Sequence, residues 1–179
     1  MSNFLEEAEA VAIKAAKEAG KVLLKHYRQK LTITVKGNNP KDVVTNADME
    51  ADKVIGETLA AGFPDLKIIS EENDVRESAN GLVWYIDPID GTTNYSRGSS
   101  YFCVSIALAR GKELLVGVIY DPIASELYSA AKGRGAFLNG KMINVSESSE
   151  LQQAMIIFDL GYIEEKRQTT LSIIEALRD

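Results

Sequence analysis

The chain has 179 residues, 45% hydrophobic and 26% charged, with a net charge of −6. That is ordinary globular usage and excludes wholesale disorder, collagen and coiled coil, and no apolar run approaches the ~18–20 residues of a membrane span. The acidic balance argues against a nucleic-acid backbone as partner, and the lone Cys103, unable to pair within the chain, fits a reducing, cytoplasmic setting.

From Leu5 to Tyr27, apolar residues recur as Leu5, Ala8, Ala12, Ala15, Ala19, Val22, Leu23 and Tyr27, the spacing of a helix with one buried face. Leu31–Val35 is β-branched and reads as a strand, and Lys36-Gly37-Asn38-Asn39-Pro40 as a loop. Thr45 fits the N-cap of a second helix in which Ala47, Ala51, Ile55 and Leu59 repeat at i, i+4, closed by Gly62-Phe63-Pro64. Leu66–Ser70 is a short strand running into Glu71-Glu72-Asn73, 74–81 a polar loop, and Leu82–Ile86 a buried strand that delivers Asp87.

Strand patterns then dominate. Tyr101–Arg110 and Glu113–Tyr120 flank the hairpin signal Gly111-Lys112. Glu126–Ala131, Ala136–Leu138 and Met155–Phe158 add three more, and Glu164–Leu177 is a closing helix. Helices first and a run of strands after them predict an α+β fold: two N-terminal helices packed on a mainly antiparallel sheet, in one domain spanning 1–179.

The stretch that carries chemistry is Trp84-Tyr85-Ile86-Asp87-Pro88-Ile89-Asp90-Gly91-Thr92-Thr93-Asn94-Tyr95. An apolar strand ends in one carboxylate and a second follows three residues on. Such close carboxylates repel unless a cation lies between them, and hard oxygen ligands suit Mg²⁺. Thr92 and Thr93 can begin a helix whose first amides receive a phosphate. Taken alone, an Asp-x-x-Asp spacing reads more often as a pair of turn formers with Thr92 as a cap. Glu71 beside Glu72 likewise reads as an acidic loop, and Asp48 as the end of a capping box. Cys103 and Trp84 read as core, and His26 as helix surface or partly buried.

The contiguous string is more specific than its parts. It resembles the inositol monophosphatase family of Mg²⁺-dependent, lithium-sensitive phosphatases, which shares the pattern W-I-I/V-D-P-I/L-D-G-T-T-N-F/Y. Val43-Val44-Thr45-Asn46-Ala47-Asp48, Ile69-Ser70-Glu71-Glu72 and Gly133-Arg134-Gly135-Ala136-Phe137-Leu138-Asn139-Gly140 are similar to three further segments of that family, in the same order.

The resemblance implies a division of labour. Glu71, Asp87 and the backbone carbonyl of Ile89 would bind a first metal, Asp87 and Asp90 a second, and Glu71 a weaker third, so two or three Mg²⁺ per complete site. Thr92 and Asp48, with Glu71, would activate the attacking water, and the amides of Gly91, Thr92 and Thr93 would hold the phosphate. Lys36 would approach the metals. The implied fold is the N-terminal half of the inositol monophosphatase and fructose-1,6-bisphosphatase-like architecture. The implied activity is hydrolysis of a small-molecule phosphate ester in the cytoplasm, with neither nucleic acid nor membrane as partner. Relatives are commonly homodimers.

Two departures stand out. Ser96-Arg97-Gly98-Ser99-Ser100 replaces the His-Gly and proline that usually follow the motif, which alters the rim of the site. The chain also contains no Trp-Asp pair, whose aspartate completes the second metal site in the family's C-terminal half. The expectation is a metal-binding half with weak or no turnover alone; a non-catalytic metal- and phosphate-binding or interaction module is the alternative. Inositol monophosphate or a related sugar phosphate is the expected substrate, with fructose 1,6-bisphosphate, histidinol phosphate and adenosine 3′,5′-bisphosphate as alternatives. A dehalogenase-type phosphatase would need Asp-x-Asp, and a P-loop at Gly135–Lys141 would need Ser or Thr where Met142 stands.

Overall fold

The computed structural model describes residues 2–35, 43–71, 81–158 and 164–177. The first helix, α1 (Ser2–His26), turns a stripe of Ala8, Ala12, Ala15, Ala16 and Ala19 inward, all fully buried. Side chains this small let the helix axis approach the sheet closely. At Gly20 the approach is tightest: a Cβ there would stand 2.4 Å from the Tyr120 ring. Lys25 and His26 end the helix, where positive charge suits the dipole. Both meet Glu50, at 3.1 and 2.7 Å, and tie α1 to the second helix.

A two-stranded antiparallel ribbon, β1 (Ile33–Val35) and β2 (Val43–Thr45), leads into α2 (Asn46–Gly62). The predicted capping box is present: the Thr45 hydroxyl accepts from the Ala47 and Asp48 amides, and the Asp48 carboxylate accepts from the Thr45 amide. Ala47, Ala51, Ile55 and Leu59 are the buried face, as the i, i+4 repeat requires.

Seven strands follow in sequence order across one sheet: β3 (Lys67–Ser70), β4 (Leu82–Asp90), β5 (Cys103–Arg110), β6 (Glu113–Asp121), β7 (Glu126–Ala131), β8 (Gly135–Leu138) and β9 (Lys141–Ile143). Only β3 and β4 run parallel; every other pair is antiparallel. The short helix α3 (Thr92–Ser96) sits between β4 and β5. Period-two burial puts Trp84, Ile86, Val104, Ile106, Leu108, Val116 and Val118 into a core shared with α1 and α2. The α+β class and mainly antiparallel sheet are therefore as predicted. The buried strand expected at Leu82–Ile86 runs on to Asp90. The expected loop at 36–40, with Lys36, and most of that at 74–81 lie outside the described residues, as does Glu72.

Packing divides the chain into two compact units, Met1–Asn144 and Val145–Asp179. The second holds a 3₁₀ turn (Leu151–Gln153) and α4 (Glu164–Ala176), whose first turn is braced by Arg167 and Gln168 on Glu164, at 3.0 and 2.8 Å. The strand expected at Met155–Phe158 does not form. These residues are irregular and exposed, Met155 at 87%. A β-rich composition makes a strand only where a neighbour offers its ladder. No described helix is long and apolar enough to cross a membrane.

Candidate active site

In a regular strand, residues three apart point to opposite faces, so Asp87 and Asp90 would be separated by the sheet. The register shows otherwise. Asp87 lies opposite Ser105 and Asp90 opposite Cys103, with one extra residue on β4 between them. Pro88 has no amide to give the ladder, and the bulge it occupies returns Asp90 to the face that Asp87 uses. Inside the bulge the Ile89 amide donates to Asp87 Oδ1 at 3.1 Å.

The third carboxylate arrives on the neighbouring parallel strand. Ser70 is in register with Ile86, and the next amide, of Glu71, donates to the Ile86 carbonyl at 3.3 Å. Glu71 thus reaches Asp87. Burial, then the negative charges of Glu71 and Asp90, push the Asp87 carboxyl up to about 7. Among the described residues, the charges that act on it most are those two acids. A cleft of about 280 Å³ opens beside the pair, lined by Ile69, Ser70, Glu71, Tyr85, Asp87 and Ser105.

Oxygen donors gathered around one carboxyl that burial and neighbouring negative charge hold up are chemically suited to a hard divalent cation. The set is not a closed cage: among the described residues, no three His, Cys, Asp or Glu side chains stand grouped to hold an ion. Glu71 and Asp90 are exposed and Asp87 half-buried, so the two outer carboxylates have room to turn.

Cys103 corrects an expectation. Its strand is apolar, but Cys103 points to the Asp87 face and is only half-buried, with Sγ 3.8 Å from Asp90 Oδ2. Burial first, then the charges of Asp90, Asp87 and Asp121, raise its thiol to about 12, so it stays protonated and unreactive. Trp84 is fully buried, as expected. His26 is partly buried against Glu50.

Asp48 and Thr92, 44 residues apart, meet. The Thr92 hydroxyl lies 3.1 Å from Asp48 Oδ1 and 2.9 Å from the Ile89 carbonyl, two acceptors for its single proton. The other Asp48 oxygen takes two bonds from Thr45, at 2.8 Å from the amide and 2.6 Å from the hydroxyl. Asp48 is 1% exposed, and that burial raises its carboxyl above the usual range although the Thr45 and Thr92 bonds pull it down. The sequence marks Thr45 as a cap. It does not mark it as the group that fixes which Asp48 oxygen faces Thr92.

α3 begins directly after Asp90. Gly91 is its N-cap with φ +96°, a conformation open to glycine and strained for other residues. Tyr95 anchors the helix: it is 1% exposed, its hydroxyl donates to the Leu23 carbonyl at 2.8 Å, and its ring meets Phe102 edge-on at 4.8 Å. The divergent run Ser96–Ser100 is held to the turn that follows α1, because Tyr27 and Arg28 both donate to the Gly98 carbonyl. An added Cβ at Gly91 would lie 3.0 Å from the Tyr101 carbonyl oxygen, backbone that cannot swing aside. Gly91→Ala is therefore expected to lose about 2 kcal/mol of stability, read as a lower urea midpoint with an unchanged slope.

Comparison with known proteins concerns the chain as a whole. A family described as the inositol monophosphatase family matches residues 5–178. The chain is 41% identical over 162 residues to "Inositol monophosphatase 2" of Solanum lycopersicum, covering 88% of this chain and 60% of that protein. Among solved structures, the extragenic suppressor protein suhB of Bartonella henselae superposes with a TM-score of 0.75 at 36% identity, over 79% of this chain and 55% of that one. An IMPase/NADP phosphatase complexed with Mg²⁺ and phosphate superposes with a TM-score of 0.74 at 26% identity, over 84% and 57%. The chain thus spans about three fifths of the curated relatives it matches.

Proposed function

The chain belongs to the inositol monophosphatase family, and from that premise we propose that it carries the metal- and phosphate-binding part of a phosphomonoesterase acting on inositol monophosphate or a related sugar phosphate. The observation that supports this most is the Thr92–Asp48 hydrogen bond, set two residues beyond a bulge that turns two carboxylates to one face.

Glu71, Asp87, Asp90 and the Ile89 carbonyl would hold two or three Mg²⁺. Bound divalent ions would neutralise charge on the ester and lower the pKa of the attacking water. The chain's own groups do the rest. The Thr92 oxygen accepts a proton from the water as its own passes to Asp48 Oδ1, whose raised basicity suits a proton acceptor. The water oxygen forms the new bond to phosphorus, and the ester oxygen leaves and is protonated by solvent. The amides of Gly91, Thr92 and Thr93 open α3 toward the phosphate.

Lithium inhibition, a cytoplasmic setting and homodimerisation belong to the same reading. The test is phosphate release from inositol 1-phosphate with added Mg²⁺. Asp90→Asn should bring the measured release down to the buffer rate. Equal rates for Asp90→Asn and the parent chain would refute the assignment.

A further inference from the structure

We propose that Ser70 and Asp52 form a strut that holds Glu71 in place as a cation ligand, so that α2 positions the metal-binding segment as well as the Asp48–Thr92 pair. The inference rests on the reading of Glu71 as a ligand and extends it to two residues to which the resemblance gives no role.

Asp48 and Asp52 are one helical turn apart, and residues at i and i+4 share a face. That face of α2 bonds to two different elements. Asp48 takes the Thr92 hydroxyl of α3. Asp52 takes the Ser70 hydroxyl at the end of β3. Ser70 is 9% exposed, so its hydroxyl needs a partner inside the protein, and a carboxylate acceptor makes the bond charge-assisted and strong.

The consequence falls on the next residue. Glu71 is exposed and has three side-chain torsions, so the position of its backbone decides what its carboxyl can reach. Its own amide is bonded to Ile86 at 3.3 Å, which pins it to β4, and the Ser70–Asp52 bond pins the preceding residue to α2. Between these anchors the Glu71 Cα is held beside Asp87, whose carboxyl its side chain reaches. Ser70 also lines the cleft next to both carboxylates. Groups that orient a ligand without touching the ion change metal affinity by about 10–100-fold.

The test is Mn²⁺ affinity of the full 179-residue chain, by titration calorimetry or electron paramagnetic resonance, with thermal midpoints of every variant as the fold control. A strut predicts that Ser70→Ala and Asp52→Ala each weaken Mn²⁺ binding about tenfold or more. The double variant should be no worse than either single. Ser70→Thr, which keeps the hydroxyl, should restore binding, and Asp52→Asn, which keeps an acceptor oxygen, should lose little. Equal losses in Asp52→Asn and Asp52→Ala with none in Ser70→Ala would reduce the effect to charge and overturn the strut. Asp87→Asn separates the two levels of argument. If it abolishes Mn²⁺ binding while Ser70→Ala changes nothing, the strut falls and the metal reading stands. If it binds Mn²⁺ as the parent does, both fall.

Discussion

Asp87→Asn is expected to stabilise the ion-free protein at neutral pH and to remove its stabilisation by divalent cations. The Asp87 carboxyl titrates near 7 in the folded protein and near 3.8 when unfolded. Between those values the folded chain holds a proton that the unfolded chain has released, so stability falls as pH rises through the window and is flat above it. Asp87 is half-buried, so solvent screening reduces the penalty to about 1–3 kcal/mol. Asparagine carries no charge and keeps an oxygen for the Ile89 amide, so it escapes that penalty. Asp48, whose carboxyl is also raised, contributes a smaller slope of the same sign that survives the substitution. Thermal midpoints without divalent ions at pH 4 and pH 7.5 should drop in the parent and change little in the variant. Adding Mg²⁺ at a hundredfold excess over its dissociation constant should return about 2.7 kcal/mol to the parent and nothing to Asp87→Asn. A midpoint that changes between pH 4 and 7.5 by the same amount in the parent and in Asp87→Asn would contradict the crowding around Asp87.

Most of the frame was legible because its signals are local. The alanine stripe of α1, the Thr45–Asp48 capping box and the Gly111-Lys112 hairpin each occupy a few neighbouring residues, and each formed. The site was legible differently, through the contiguous string around Asp87 and its resemblance to a family. What the string cannot display is geometry made by distant partners. The bulge is a property of β4 against β5, and the spacing of Asp87 and Asp90 does not display it. The Cys103 side is set by the same register. The Ser70–Asp52 bond joins residues 18 apart, signalled only by the i, i+4 spacing from Asp48. Met155–Phe158 failed for the complementary reason: its strand propensity is local, but a strand needs a neighbour.

Asp48→Asn and Thr92→Val should each give a large loss in turnover, with different effects on stability. A positioned proton acceptor contributes about 10²–10⁴-fold, and in the proposed mechanism the two residues would serve one transfer, so the double variant should fall no further than the worse single. Thr92→Val removes a hydroxyl at a half-buried position and should leave the fold within about 1 kcal/mol of the parent. Asp48→Asn also disturbs the clasp in which one carboxylate oxygen takes both Thr45 donors, so it should cost a further 1–2 kcal/mol, the usual scale of a lost helix cap. Single-turnover phosphate release with enzyme in excess, alongside urea unfolding, separates the two. Thr92→Val should be inactive and well folded, Asp48→Asn inactive and weakened. If the valine variant releases phosphate at the parent rate, the hydroxyl is a cap and takes no part in moving the proton.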